Sequence, residues 1–185
     1  MENKIEFDIF INGDKIDLVV LDENIIEKTN WYKWFNDSEI TKNMQKHYFP
    51  NTMNLQKLFF KNEIENNPNK LQLGILHKES QFLIGAVSLN DIDFINKLCE
   101  ISIIIGEKKY HSLDFFVESC ELIINHGFNT LGLNRIYSGS FSKDIDNLFC
   151  KLLSFESEGI LKQAVFKDGK FHDAYICARI NKRYK

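Results

Sequence analysis

The sequence predicts an α/β (α+β) fold, a mixed and mostly antiparallel central sheet flanked by helices. Three observations lead there. Three strand-like runs, Leu71 to Leu76, Phe82 to Leu89 and Leu98 to Ile105, follow one another across turn-rich connections at 77–81 and 90–97, as an antiparallel meander does. The stretch from Cys99 to Gly139 then reads as strand, loop, helix, strand, a common way to build an anion or cofactor cradle at a helix N-terminus. Finally, strand pairs open and close the chain around the helical segments.

Near the start, Ile5, Phe7, Ile9 and Ile11 alternate with Glu6, Asp8 and Phe10, followed by Asn12-Gly13 and a second apolar run, Ile16 to Leu21. Asn-Gly between such runs signals a hairpin, because a type I′ turn needs positive φ at both positions. Glu23 to Met44 has helical spacing, with Ile26, Trp31, Trp34, Phe35 and Ile40 on one face. Asn36-Asp37-Ser38 divides it into two short helices, since these side chains compete for backbone hydrogen bonds. After the irregular segment His47 to Thr52, Thr52 caps a helix with apolar positions Leu55, Leu58, Phe59 and Ile64, ending near Asn66-Asn67-Pro68. Beyond the meander a helix spans Ser112 to His126, with Phe116, Cys120, Ile123 and Ile124 near helical spacing and Gly127 as its stop. Arg135 to Ser140 is a strand and Ile145 to Leu153 a helix. The last strands, Phe155 to Phe166 and Phe171 to Ile180, turn at Asp168-Gly169. With no repeat, linker or low-complexity segment, residues 1–185 read as one domain.

Composition removes several function classes. Hydrophobic residues make up 44%, including 16 Phe, enough for a real core. Net charge is −3 with acids and bases interspersed, and no long Lys/Arg run offers a phosphate-backbone track, so nucleic acid is not an expected partner. The N-terminus MENKIEFDIF carries charges where a signal peptide needs an apolar core, and no apolar run reaches a membrane-spanning length of ~20 residues; a cytoplasmic protein without membrane contact is expected. Cys99, Cys120, Cys150 and Cys177 form no C-x-x-C pair, so buried free thiols in a reducing cytosol, and no metal, are expected.

Several segments, in order and spacing, resemble the GNAT superfamily of N-acetyltransferases, within it the branch holding ribosomal-protein N-terminal and bacterial amino-sugar acetyltransferases. Trp34-Phe35-Asn36-Asp37-Ser38-Glu39-Ile40 is similar to W-x-N-D-P-E-V, and Tyr48-Phe49-Pro50 to a motif of the sugar-modifying members. Ile84 to Leu89 resembles I-G-x-x-x-L, Glu100 to Gly106 resembles E-I-G-y-x-I-G, and Leu131 to Ile136 matches L-G-L-x-R-I. Glu158 to Lys162 and Asp168 to Asp173 resemble the E-G-x-L-K and D-G-x-y-x-D ending, so the resemblance covers nearly the whole chain. It implies transfer of acetyl from acetyl-CoA to a primary amine. It also implies strands that splay at the acyl-CoA site, where the pantetheine arm bonds the backbone at Ile103, Ile104 and Ile105, with the pyrophosphate on the N–H groups opening the next helix. That last placement has independent physics, since unpaired N–H groups and the helix dipole favour an anion.

The loop departs from the family's Y-W-G-K-G-Y-A. Tyr110-His111-Ser112-Leu113-Asp114-Phe115-Phe116 stands there, with Ser112 and Asp114 in the two glycine positions and Leu113 in the lysine position. Steric clearance, backbone freedom and one positive charge are lost together. Asp114 is also a good first-turn residue for a helix dipole, and Lys108 is placed to offset its charge. Candidate cofactor-binding residues are therefore Ile103, Ile104, Ile105, Lys108, His111, Ser112, Leu113, Asp114, Phe115 and Phe116, with Asp144 and Asn147 near the expected pantetheine arm. Glu100 is the candidate base, because direct transfer needs the amine neutral. Cys150 occupies the position of the family's tyrosine acid and is a weak acid candidate. Trp34, Asn36, Tyr48 and Phe49 resemble the acceptor wall. The expected acceptor is a small-molecule amine, preferably a nucleotide-linked amino sugar used in surface polysaccharide synthesis. A ribosomal-protein N-terminus and a non-catalytic scaffold role are the alternatives. Oligomeric state stays open, a homodimer included.

Overall fold

The computed structural model describes residues 5–184; the first four residues of the N-terminal segment and the last residue of the expected 1–185 domain lie outside it. Eight strands form one sheet: β1 Ile9–Asn12, β2 Ile16–Val20, β3 Leu71–His77, β4 Phe82–Asp93, β5 Leu98–Ile105, β6 Arg135–Ser140, β7 Glu156–Lys167 and β8 Lys170–Ile180. Their order is β1-β2-β3-β4-β5-β6-β8-β7. The β5–β6 pair is parallel and every other pair antiparallel, as expected from the meander and the long helical crossover after β5.

Side chains alternate across each strand, so the sheet carries two separate cores. Cys99 and Ile101 of β5 join one cluster with Cys120, Ile123 and Ile124 of helix α5 (Leu113–Asn129) and Phe149 of helix α6 (Lys143–Leu152). Ile104 packs against the other, built with Ile25 and Ile26 of α1 (Glu23–Lys28), Trp31 and Trp34 of α2 (Trp31–Trp34) and Phe60 of α4 (Met53–Phe60). Helix α3 (Ser38–Thr41) completes the second layer.

Four local expectations change. The first hairpin forms, but Asn12 pairs with Asp17 through residues 13–16, and neither Asn12 nor Gly13 has positive φ. Gly13 is needed for clearance, because a Cβ there would overlap the Ile16 carbonyl, and Glu118 of α5 accepts the Lys15 N–H at 3.0 Å to close the turn. The predicted helix pair at 23–44 is three pieces. Thr29 is extended and its hydroxyl donates to the Ile25 carbonyl at 2.6 Å, ending α1 early. In α4, Leu55 and Leu58 are exposed, whereas Gln56 and Phe60 are buried. The polar Gln56 obscured that stripe; it is buried with its Oε1 accepting from Asn51 Nδ2 at 2.8 Å, while its Nε2 has no partner among the described residues. Gly127 does not stop α5, which continues to Asn129. A Cβ at Gly127 would press Ile136 and Leu89, so glycine lets the helix sit close to the sheet, and the backbone turns left-handed only at Gly132, φ +67°.

Candidate active site

The β5–β6 pairing runs through Leu98↔Arg135, Cys99↔Ile136 and Glu100↔Tyr137 and stops there. Beyond that point β5 stays on β4 as far as Ile105, while β6 follows β8 as far as Ser140. Each strand is committed to its outer neighbour, so the pair parts like a V just past Glu100. Backbone groups alternate in direction along a strand: Ile104, like Gly106, turns its groups to β4, while those of Ile103 and Ile105 turn toward the gap. An extended ligand bearing amides finds unpaired strand backbone there.

Past Gly106 the chain makes a 3₁₀ turn, Lys108–Tyr110, and enters α5. No residue from Glu107 to Asp114 has positive φ, so Ser112 and Asp114 stand in the glycine positions without backbone strain. Ser112 is the N-cap and its Oγ accepts the Asp114 N–H at 3.3 Å. His111 donates Nε2–H to the Ile105 carbonyl at 2.9 Å, covering one group of the splayed edge.

Other predicted loop side chains turn elsewhere. The Asp114 carboxylate pairs with Lys15 of the first hairpin, which raises the lysine's pKa. Lys108 does not offset Asp114; its ammonium bridges Asp37 at 2.8 Å and Glu39, binding the loop to α3. Phe115 packs beside His77, ring centroids 5.2 Å apart, and Phe116 beside Phe149 at 5.6 Å. Leu113 is exposed at the helix mouth, Asp144 is exposed and Asn147 half-buried on α6.

On the α1–α4 side of the sheet lies a cavity of about 710 Å³. Its floor is Ala86, Ser88, Ser102 and Ile104 of β4 and β5, and Glu100 stands in it where the strands part. Burial pushes the Glu100 carboxyl above the usual carboxylate range and Asp91 adds to the rise; the Gly139 N–H across the gap opposes it. Tyr48 and Phe49 line the cavity. Trp34 and Asn36 do not. Trp34 is buried over Gly106 with its indole N–H on Glu107 Oε1 at 3.1 Å, and Asn36 holds the wall from behind through two 2.6 Å bonds to the Asn51 backbone. Cys150 packs with the α5–α6 core, on the opposite side of β5 from Glu100, and burial raises its thiol, with Asp146 adding to the rise.

The cavity contains charges that the motifs did not reveal: Glu63 and Asp91, and the cations Lys46 and Lys70. Burial lowers the Lys70 pKa; Glu63 opposes that fall and Lys46 adds to it. The wall itself depends on Lys167. This buried lysine donates to the carbonyls of Lys46 at 2.8 Å and Met44 at 3.0 Å and lies 5.4 Å from the Tyr48 ring centre, while the Tyr48 hydroxyl donates to Phe166 O at 2.9 Å. In sequence Lys167 only precedes the Asp168-Gly169 turn, which gave no sign of burial. Lys167→Met is expected to cost about 2 kcal/mol, since hydrogen bonds from a charged donor are lost and carbonyls are left behind. It should also raise the acceptor KM more than it lowers kcat. Thermal melts and steady-state kinetics check both; an unchanged KM would show that the wall holds itself.

A profile of the Acetyltransferase (GNAT) domain matches residues 24–145. The chain belongs to the GNAT acetyltransferase family. Among curated relatives it is 25% identical over 154 residues to the uncharacterized N-acetyltransferase p20 of Bacillus licheniformis, covering 82% of this chain and 86% of that one. Among solved structures, the spermidine N-acetyltransferase of Vibrio cholerae, in complex with CoA and spermine, superposes with a TM-score of 0.80 at 19% identity, covering 93% of this chain and 99% of that one. The microcin C7 self-immunity acetyltransferase MccE, in complex with acetyl-CoA and AMP, gives 0.72 at 22% identity, covering 91% and 93%. At these identities the structures speak for the GNAT fold, and the profile for the family and its acetyl transfer. The expected family and the expected mixed sheet are both met.

Proposed function

We propose that this GNAT N-acetyltransferase takes acetyl from acetyl-CoA and delivers it directly to a primary amine held in the cavity beside Glu100. The observation that carries the proposal is the coincidence of three features: the β5–β6 gap, the α5 N-terminus at its mouth, and a carboxyl of raised pKa where gap and cavity meet. The backbone at Ile103 and Ile105 would hold the pantetheine amides, and the first N–H groups of α5, around Ser112 and Leu113, would hold the pyrophosphate. Bound there, acetyl-CoA supplies a thioester carbonyl open to attack. Glu100 is placed to take the proton that the amine loses as the C–N bond forms and the thioester C–S bond breaks, its raised pKa suiting it as a base; the departing thiolate would take a proton from water, since Cys150 lies on the other side of β5. Tyr48 and Phe49, both exposed at the cavity, offer aromatic surface that a bound acceptor would cover.

The preferred acceptor is a nucleotide-linked amino sugar. Lys46 and Lys70 face one cavity and repel each other, so a phosphate between them relieves both, while Glu63, Asp91 and Glu100 suit the amine end. Tyr48-Phe49-Pro50, the motif shared with sugar-modifying members, lies on that wall. A polyamine would use the three carboxylates and leave the two lysines repelled.

Calorimetry with acetyl-CoA, followed by thiol release in the presence of a nucleotide-linked amino sugar, a polyamine and a ribosomal N-terminal peptide, tests the scheme. Saturable donor binding and faster release with the amino sugar are expected. Failure to bind acetyl-CoA at millimolar concentration would leave the scaffold reading. Rebuilding the loop as Ser112→Gly, Leu113→Lys, Asp114→Gly should then restore binding.

A further inference from the structure

The acetyl-transfer chemistry uses nothing between α6 and β8, yet three metal-ligating side chains meet there. Asp146 and Cys150 lie one turn apart on one face of that helix, and Cys177 rises from β8 beneath them. One carboxylate oxygen and the two sulfurs all lie within 4.8 Å of one another. Asp146 is only 8% exposed, and its Oδ1 has no conventional hydrogen-bond partner among the described residues; the Cys177 thiol beside the carboxylate is a weak donor only. A buried carboxylate oxygen left unpaired is costly, and a group of this kind calls for a partner. Lysine and arginine do not supply one: the nearby Arg179 is engaged with Glu121 and the Leu153 carbonyl.

We propose that Asp146, Cys150 and Cys177 form a binding site for one soft divalent cation, of which zinc is the natural choice. Two thiolates select a soft ion, and zinc also accepts a carboxylate oxygen as a third donor. Tetrahedral zinc with Zn–S of about 2.3 Å places its sulfurs about 3.8 Å apart, so a separation within the observed limit closes by rotamer adjustment alone. Binding releases two thiol protons and leaves Asp146 as the anionic third ligand. Cys177 is buried but Cys150 is only half-buried, so the ion enters over Cys150 and keeps a water in the fourth position. The bound ion would clamp α6 to β8. A Cys150–Cys177 disulfide is the competing chemistry, but it would leave Asp146 Oδ1 still unpaired. The sequence expectation of no metal followed from the lack of C-x-x-C, and the 27-residue separation of Cys150 and Cys177 hid their meeting.

The test uses the full chain, reduced and freed of metal, titrated with cobalt(II) and then displaced with zinc. One cobalt per chain with a thiolate charge-transfer band, displaced by stoichiometric zinc, is the expected result. Asp146→Asn and Cys150→Ser should each weaken zinc at least about 10-fold, since even outer-shell changes do that much. Zinc should raise the thermal midpoint of the wild type and leave those variants unmoved. Cys177→Ala is the third ligand test, but as a core change it is read only if its far-ultraviolet dichroism is native. No charge-transfer band, or binding unchanged in Asp146→Asn and Cys150→Ser, overturns the site. So does air oxidation to a Cys150–Cys177 disulfide that equimolar zinc fails to prevent. None of these readouts depends on acetyl transfer.

Discussion

Replacing Glu100 with Gln is expected to lower kcat about 10²–10⁴-fold with little change in acetyl-CoA affinity, the usual loss when a positioned base is removed. Gln keeps the shape and cannot take the proton. The wild-type pH profile of kcat/KM should carry an acid limb above the ordinary glutamate range, because burial first and Asp91 second hold the Glu100 carboxyl up. That limb should vanish in the variant. Stability moves the other way. A carboxyl whose folded pKa lies above its unfolded value contributes stability that is full below the unfolded pKa and is lost as pH rises through the folded one. Glu100→Gln therefore should not destabilise the protein at neutral pH and should flatten the fall in stability across that window. Melts and rate profiles from pH 4 to 9 separate the two effects. A kcat within a few-fold of wild type, with the acid limb intact, would remove Glu100 from the reaction.

Gly106→Ala is expected to cost about 3 kcal/mol, at the high end for overpacking, and to lower the melting temperature by about 6–12 °C. A Cβ at Gly106 would overlap the Trp34 indole. The indole is buried and tied to Glu107, so it cannot simply swing away, and β5 must move instead. That strand end carries the backbone proposed to hold the donor, so the acetyl-CoA KM should rise too. A cycle with Trp34→Leu checks the cause: with the indole gone, adding the Gly106 methyl should cost at least about 1 kcal/mol less. Equal costs in both backgrounds would mean that the clash is not with Trp34.

These two residues also show how much of the site was legible. Glu100 and Gly106 sat in a recognisable motif, Glu100-Ile101-Ser102-Ile103-Ile104-Ile105-Gly106, and the strand, the splay and the candidate base followed from it. Trp34 belonged both to a motif and to the apolar face of its helix, and the structure gives it the core role. An aromatic in a helix can face a ligand or a core, and spacing alone does not say which. Lys108 and Asp114 were read as each other's counter-charges because they are near in sequence. Each pairs instead with a residue far along the chain, Lys108 with Asp37 and Asp114 with Lys15. Lys167 and Gln56 were missed because polar residues give no burial signal until their partners are known.

By itself the sequence determined most of the elements and the family: strand and helix periodicity, the Thr52 cap, and motifs in order. These depend on neighbours a few residues apart, so the chain carries them openly. Only the tertiary structure decided which side of the sheet each group serves. It set Glu100 in a cavity with Lys46 and Lys70, buried Lys167 under the Tyr48 side of that cavity, and brought Cys177 to Asp146 and Cys150. Burial and desolvation arise from contacts between distant segments, and these properties, more than residue type, set the chemistry of a carboxyl or a thiol.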